Sequence, residues 1–200
     1  MRSVVCKQPG RGLSDGVTSE VAAFFDVLPG HAGELRAAAR RFTEAIRDLD
    51  PAIGLRAGLR DTRHVIFDDG FRLLWCASLE GDWDAWAEDG LFLVGADRFV
   101  DWLRHTAQGE ELAAPAGRPG DGSGATQASA RLSAVLRSAQ AQAAAYFSPL
   151  STLTLPQIVE AQRLDRVVRQ ALGNPFVEEA LQHPALEPLF RRIGHGAGAR

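Results

Sequence analysis

Lysine is nearly absent from this sequence, cysteine occurs twice, and no apolar run approaches the length needed to cross a bilayer. The two cysteines, Cys6 and Cys76, lack metal-type spacing, which argues against a disulfide scaffold and against a zinc site. A reduced cytoplasm is the simplest compartment for them. Residues 1–19 hold no apolar stretch of the signal-peptide kind. There is no Gly-rich phosphate loop, no Gly-x-Ser-x-Gly elbow, no His-Glu-x-x-His and no Cys-x-x-Cys pair, which argues against nucleotide hydrolysis, serine hydrolase chemistry and zinc catalysis. A formal net charge of −3 gives no global basic field for nucleic acid, and no helix-turn-helix stands out.

What is present suits a globular α+β chain. Of the 200 residues, 46% are apolar and 24% charged, enough for a sizeable core in one domain or one domain with a helical appendage. Abundant Ala, Gly and Arg suggest a GC-rich bacterial genome. Residues 1–18 are polar and glycine-containing and read as a disordered tail. Period-two alternation over residues 19–28 (Val21, Ala23, Phe25 and Val27 on one face) predicts a strand. Residues 31–49 predict a helix with Leu35, Ala38, Ala39, Phe42, Ile46 and Leu49 inward and Arg36, Arg40, Glu44 and Arg47 outward. Residues 52–58 read as a connection.

The stretch 60–83 organises the rest. Two apolar runs flank Asp68-Asp69-Gly70, a turn in which Gly takes positive φ, and predict a β-hairpin over 60–67 and 71–79. Phe71, Leu73, Trp75 and Ala77 share one face of the return strand. Asp82 caps a helix starting at Trp83, and residues 98–107 form another. Residues 113–126, rich in Gly, Pro and Ala, read as a flexible linker. Helices follow over 128–147, with Leu132, Val135, Leu136 and Ala139 as its stripe, and over 155–172. Two shorter helices begin at Pro175 and Pro184. The organisation expected is thus a tail (1–18), an α+β domain (19–112), a linker (113–126), a helical C-terminal segment (127–194) and a short tail (195–200).

Strand, helix, strand, tight turn, strand, helix is the opening of a ferredoxin-like unit, an antiparallel sheet with helices on one face. The segment Leu28-Pro29-Gly30-His31-Ala32-Gly33-Glu34-Leu35, a strand end running through Pro-Gly into a helix, resembles the dimeric α+β barrel superfamily. That group includes antibiotic-biosynthesis-type monooxygenases and, more distantly, haem-binding chlorite dismutase and dye-decolorising peroxidase relatives. Residues 68–86 also look like uncharacterised bacterial members. The resemblance covers roughly residues 19–107. It implies a twofold homodimer whose sheets close around an apolar pocket. A fourth strand is not legible after the second helix, and the C-terminal helices lie outside the minimal barrel.

Candidate site residues cluster on the hairpin. Arg63 and His64 are adjacent on a strand, so their side chains point to opposite faces. His64 reads as a general base, as an iron ligand, or as a hydrogen-bonded strand histidine. Asp61, Arg63 and Asp82 suit either a carboxylate clamp or a surface ion network. Trp75, Trp83 and Trp86 suit either an aromatic ligand site, with Trp102, or the packing of sheet against helices. Cys76 reads as a small buried apolar residue. His105 near a helix end and His31 at a helix start read as boundary residues. The function expected is a small-molecule enzyme of the oxygenase-like type, acting on an apolar or aromatic substrate in secondary metabolism. His64 and Arg63 would be its catalytic residues, and Asp61, Trp75, Trp83 and Trp86 its ligand contacts. No metal ligands are expected, nor a nucleic-acid or membrane partner. The expectation is no cofactor, with haem as the alternative. The alternatives are a non-catalytic ligand- or protein-binding module using its C-terminal helices, and a haem-binding peroxidase-like protein.

Overall fold

The structure, a computed structural model, describes residues 12–113 and 124–174, together with 177, 183 and 184. The chain divides into two compact units, Met1–Leu155 and Pro156–Arg200.

The first unit is α+β, built on an open antiparallel sheet. β1 (Ser14–Asp15) leads into β2 (Thr18–Asp26), so residues 14–18 of the expected tail belong to the sheet, and its first eleven residues lie outside the described residues. β2 is followed by α1 (Ala32–Arg47), α2 (Pro51–Ala57), β3 (Leu59–Phe67) and β4 (Arg72–Glu80). β4 lies between β2 and β3 and pairs antiparallel with both; β1 and β5 (Gln140–Ala141) pair with the other side of β2. The helices are α3 (Trp83–Val94), α4 (Ala96–Leu103), α5 (Glu110–Ala113) and α6 (Gly124–Ala139).

Sequence chemistry accounts for the boundaries. Asp50 accepts from the backbone N–H groups of Ala52 and Ile53, with Pro51 in the first turn where its missing N–H costs nothing. That Asp-Pro pair therefore opens α2, where a mere connection was expected. Gly58 ends α2 at φ 64, a conformation that favours glycine. The hairpin turn holds Asp68 and Asp69 at φ 53 and Gly70 at φ 93, within the tolerance of Asp for the left-handed region. Asp82 caps α3 by accepting from Asp84 N–H at 2.8 Å, as expected.

One face of the sheet makes the core. Val21, Ala23 and Phe25 of β2 and Leu73, Trp75, Ala77 and Leu79 of β4 are buried. They join Leu35, Ala38 and Phe42 of α1, Trp83, Trp86 and Leu91 of α3, and Phe99, Trp102 and Leu103 of α4 in one cluster. α6 adds the expected stripe, Leu132, Val135, Leu136 and Ala139. Phe71 departs from the expected inward face. It sits before β4 in a helical backbone conformation, outside the strand alternation, and is 61% exposed. The opposite sheet face carries Ala22, Phe24, Phe67, Leu74 and Cys76, all half-buried and none in the core cluster, and Val65, which is exposed.

A bulge at Arg60 shifts the β3–β4 register between Leu59 and Asp61. Arg60 bonds Glu80 Oε1 at 2.9 Å and donates to the carbonyls of Leu150 and Leu153, tying residues 150–153 to the sheet.

In the second unit, α7 (Leu155–Leu172) matches its expected bounds and has no buried residue. The expected linker core, 114–123, and the expected short helices after 175 lie outside the described residues, as does the C-terminal tail.

Candidate functional site

β3 alternates its side chains across the sheet. His64 pairs with Trp75 and Ile66 with Leu73, which puts both on the helix-covered face. Asp61 pairs with Ser78 and Arg63 with Cys76, which puts these two on the other face, where both are exposed. Asp61 and Arg63, expected at the site as a ligand contact and a catalytic residue, therefore lie across the sheet from His64. Asp61 and Arg63 make no ion pair with each other among the described residues, and Asp82 is engaged as a helix cap.

The tryptophans expected at a ligand site lie in the core. Trp75 is 0% exposed, donates from Nε1 to Thr62 Oγ1 at 2.9 Å, and meets Trp102, Phe99 and Trp83. Trp86 donates to the Ala57 carbonyl at 2.6 Å and stacks on Trp83 with ring centroids 5.7 Å apart. Gly90 permits this packing, because a Cβ there would meet the Trp86 ring at 2.5 Å. The bulk of these indoles fills the space between sheet and helices, so none is left to stack on a guest.

His64 is the expected site residue that lines a cavity. A groove of about 410 Å³ runs between α1 and β3. α1 contributes Arg36, Arg40, Thr43, Glu44 and Arg47 as one wall, and His64 and Ile66 rise from β3 with Ala39 opposite. The His64 ring packs edge-on against Phe42 at 5.3 Å and Trp102 at 4.9 Å. Burial pushes its pKa down to about 4, so the imidazole is neutral at physiological pH. Its Nε2 is closed to solvent and has no hydrogen-bond partner, which leaves that nitrogen unavailable to a haem iron in this arrangement.

No protein-family model, curated protein or solved structure matches the chain. The site therefore rests on its own geometry.

That geometry is locally basic in a chain of net charge −3. Of the α1 arginines expected to point outward, Arg36, Arg40 and Arg47 form a wall of the groove. Residues 36, 40, 43 and 47 recur at helical spacing and so share one side of α1. Arg36 donates to its own helix at Ala32 O, and among the described residues Arg40 and Arg47 form no ion pair. The recurrence of arginine was visible in sequence; its position beside a strand edge was not.

Two further features are chemical but lie elsewhere. His31 and His105 meet Nδ1 to Nδ1 at 3.1 Å, one ring donating to the other, which joins the start of α1 to the end of α4. Burial, then Arg104 and His31, hold the His105 pKa down. Burial raises that of the Cys76 thiol, which removes it as a nucleophile at neutral pH. Among the described residues no three His, Cys, Asp or Glu side chains converge to hold a metal ion, and no helix is long and apolar enough to cross a membrane.

Proposed function

We propose that the chain is a recognition domain of ferredoxin-like type whose working surface is the α1–β3 groove, and that it binds an anionic partner there. The observation that carries this is the arginine wall: guanidinium groups without ion-pair partners among the described residues line a groove beside the outermost strand. Guanidinium forks pair bidentately with carboxylate or phosphate, and Arg is less strongly hydrated than Lys, so the wall is suited to capture. The strand order, with β4 inserted between the two strands that α1 connects, supports the ferredoxin-like assignment. The test is calorimetric titration of the full chain with poly-L-glutamate at low and high salt. Expected are salt-weakened binding and a loss of at least about tenfold in Arg40→Glu/Arg47→Glu. No binding at low salt, or binding indifferent to the double substitution, would contradict it.

A second reading keeps the enzyme. The dimeric-barrel type of small-molecule enzyme, oxygenase-like and acting on an apolar or aromatic substrate, is favoured by one observation: the half-buried sheet face bearing Phe24, Phe67 and Leu74 is what a second copy would cover. Sedimentation equilibrium decides this reading, which requires a dimer at micromolar concentration and fails for a monomer.

A further inference from the structure

From the free edge beside the arginine wall we infer that the anionic partner is an extended acidic peptide segment that adds to β3 as a further strand. This inference rests on the recognition reading above.

Three observations converge. First, β3 is the last strand of the sheet on its side and, among the described residues, pairs only with β4. In an antiparallel pair, alternate residues turn their N–H and C=O groups away from the partner strand, so an edge presents a row of unsatisfied groups that templates another strand. Second, β3 is nine residues long, and its single irregularity lies at Arg60, one residue from its start. β3 has no Pro or Lys; the bulge at Arg60 and the charges of Asp61 and Arg63 lie at or before its midpoint, which leaves residues 65–67 without such a device. Third, α1 packs on β3, and its arginine side stands over the groove. A strand laid along the free edge would project every second side chain into that groove.

The spacings agree. Arg36 and Arg40 are one helical step of four residues apart, about 6 Å along the axis. Successive same-side residues of a strand are about 6.6–6.8 Å apart. Acidic side chains two residues apart on the peptide would therefore face Arg36 and Arg40. Arg47 lies about 10 Å further on, past Thr43 and Glu44. Backbone bonding supplies affinity in this mode of recognition, and the charges supply selectivity. The peptide's other face would continue the apolar row of Val65 and Phe67 on the second side of the sheet.

The probe is a fluorescein-labelled nine-residue peptide alternating Glu and Val, read by fluorescence anisotropy with the full chain. Its controls are the Lys-for-Glu peptide and two peptides N-methylated on alternate residues, each blocking one edge of the extended backbone. The result expected is binding that weakens at least about tenfold for the Lys peptide, for Arg40→Glu/Arg47→Glu, and for one N-methylated peptide but not the other. Equal binding by both N-methylated peptides, equal loss from both, or equal binding of the Lys peptide would overturn it. If poly-L-glutamate binds and the alternating peptide does not, strand addition fails while the anionic groove stands; if neither binds, both fail.

Discussion

Replacing Trp75 with alanine is expected to destabilise the first unit by roughly 3–5 kcal/mol, the cost of emptying a fully buried aromatic position. Trp75 has no exposed surface, and its ring meets Trp83, Phe99 and Trp102 at 6.4, 5.9 and 6.1 Å. Truncation also leaves Thr62 Oγ1 without the donor that now bonds it at 2.9 Å, an added penalty for a partly buried hydroxyl. Set against a total stability of about 5–15 kcal/mol, this is enough to unfold a marginal chain at 37 °C. Urea unfolding followed by far-ultraviolet circular dichroism measures it. Trp75→Phe, which keeps a ring and removes only the N–H and some volume, should retain more than half of that stability. Were Trp75 a ligand contact on a preformed pocket wall, both variants would fold with little loss and differ only in ligand affinity.

The second large effect is expected from pH and depends on His64. In the unfolded chain its imidazole titrates near 6.5, whereas burial in the fold pushes the pKa down to about 4. Between those values the unfolded chain holds a proton that the folded chain refuses. The stability that His64 confers is therefore complete above about pH 6.5 and is lost as pH falls towards about 4, in total about 3 kcal/mol. His105, also held down by burial and by Arg104, acts in the same direction, while Glu20, whose pKa burial raises, acts in the opposite one. The difference between the wild type and His64→Gln isolates the His64 part. Unfolding free energies measured from pH 7.5 to 4 should decline less steeply in the variant. Parallel curves would mean that water or a counter-charge reaches the ring in solution.

These two side chains also show what the sequence disclosed. Strand parity placed Arg63 and His64 on opposite faces correctly, because a period of two needs no tertiary information. Which face the helices would cover depends on α1 and α4 together, and no local pattern states it. The stripes Leu35, Ala38, Phe42 and Leu132, Val135, Leu136, Ala139 were legible, since a buried helix face repeats every three to four residues. So were the Asp82 cap and the bounds of α7. The edge of β2 was not. It is occupied by two strands of two residues each and by a bridge from Val27 to Thr106, and such short pieces carry no periodicity.

The candidate site was half legible for a similar reason. A tryptophan is equally at home in a core and in a pocket, so residue type could not separate the two for Trp75, Trp83 and Trp86. An arginine-bearing helix face is ordinarily solvated, and Arg36, Arg40 and Arg47 gained a role only when α1 was laid beside the outermost strand. The pairing of His31 with His105, 74 residues apart, likewise exists only in the folded chain.

Amide hydrogen exchange of the full chain, resolved residue by residue by NMR with and without the alternating Glu–Val peptide, probes the outer edge of β3 directly. Alternate amides within Leu59–Phe67, those directed away from β4, are expected to slow by at least about tenfold when the peptide is bound, while those already paired with β4 change little. Unchanged exchange along β3 under saturating peptide, or protection confined to the face bearing Phe24 and Leu74, would contradict it.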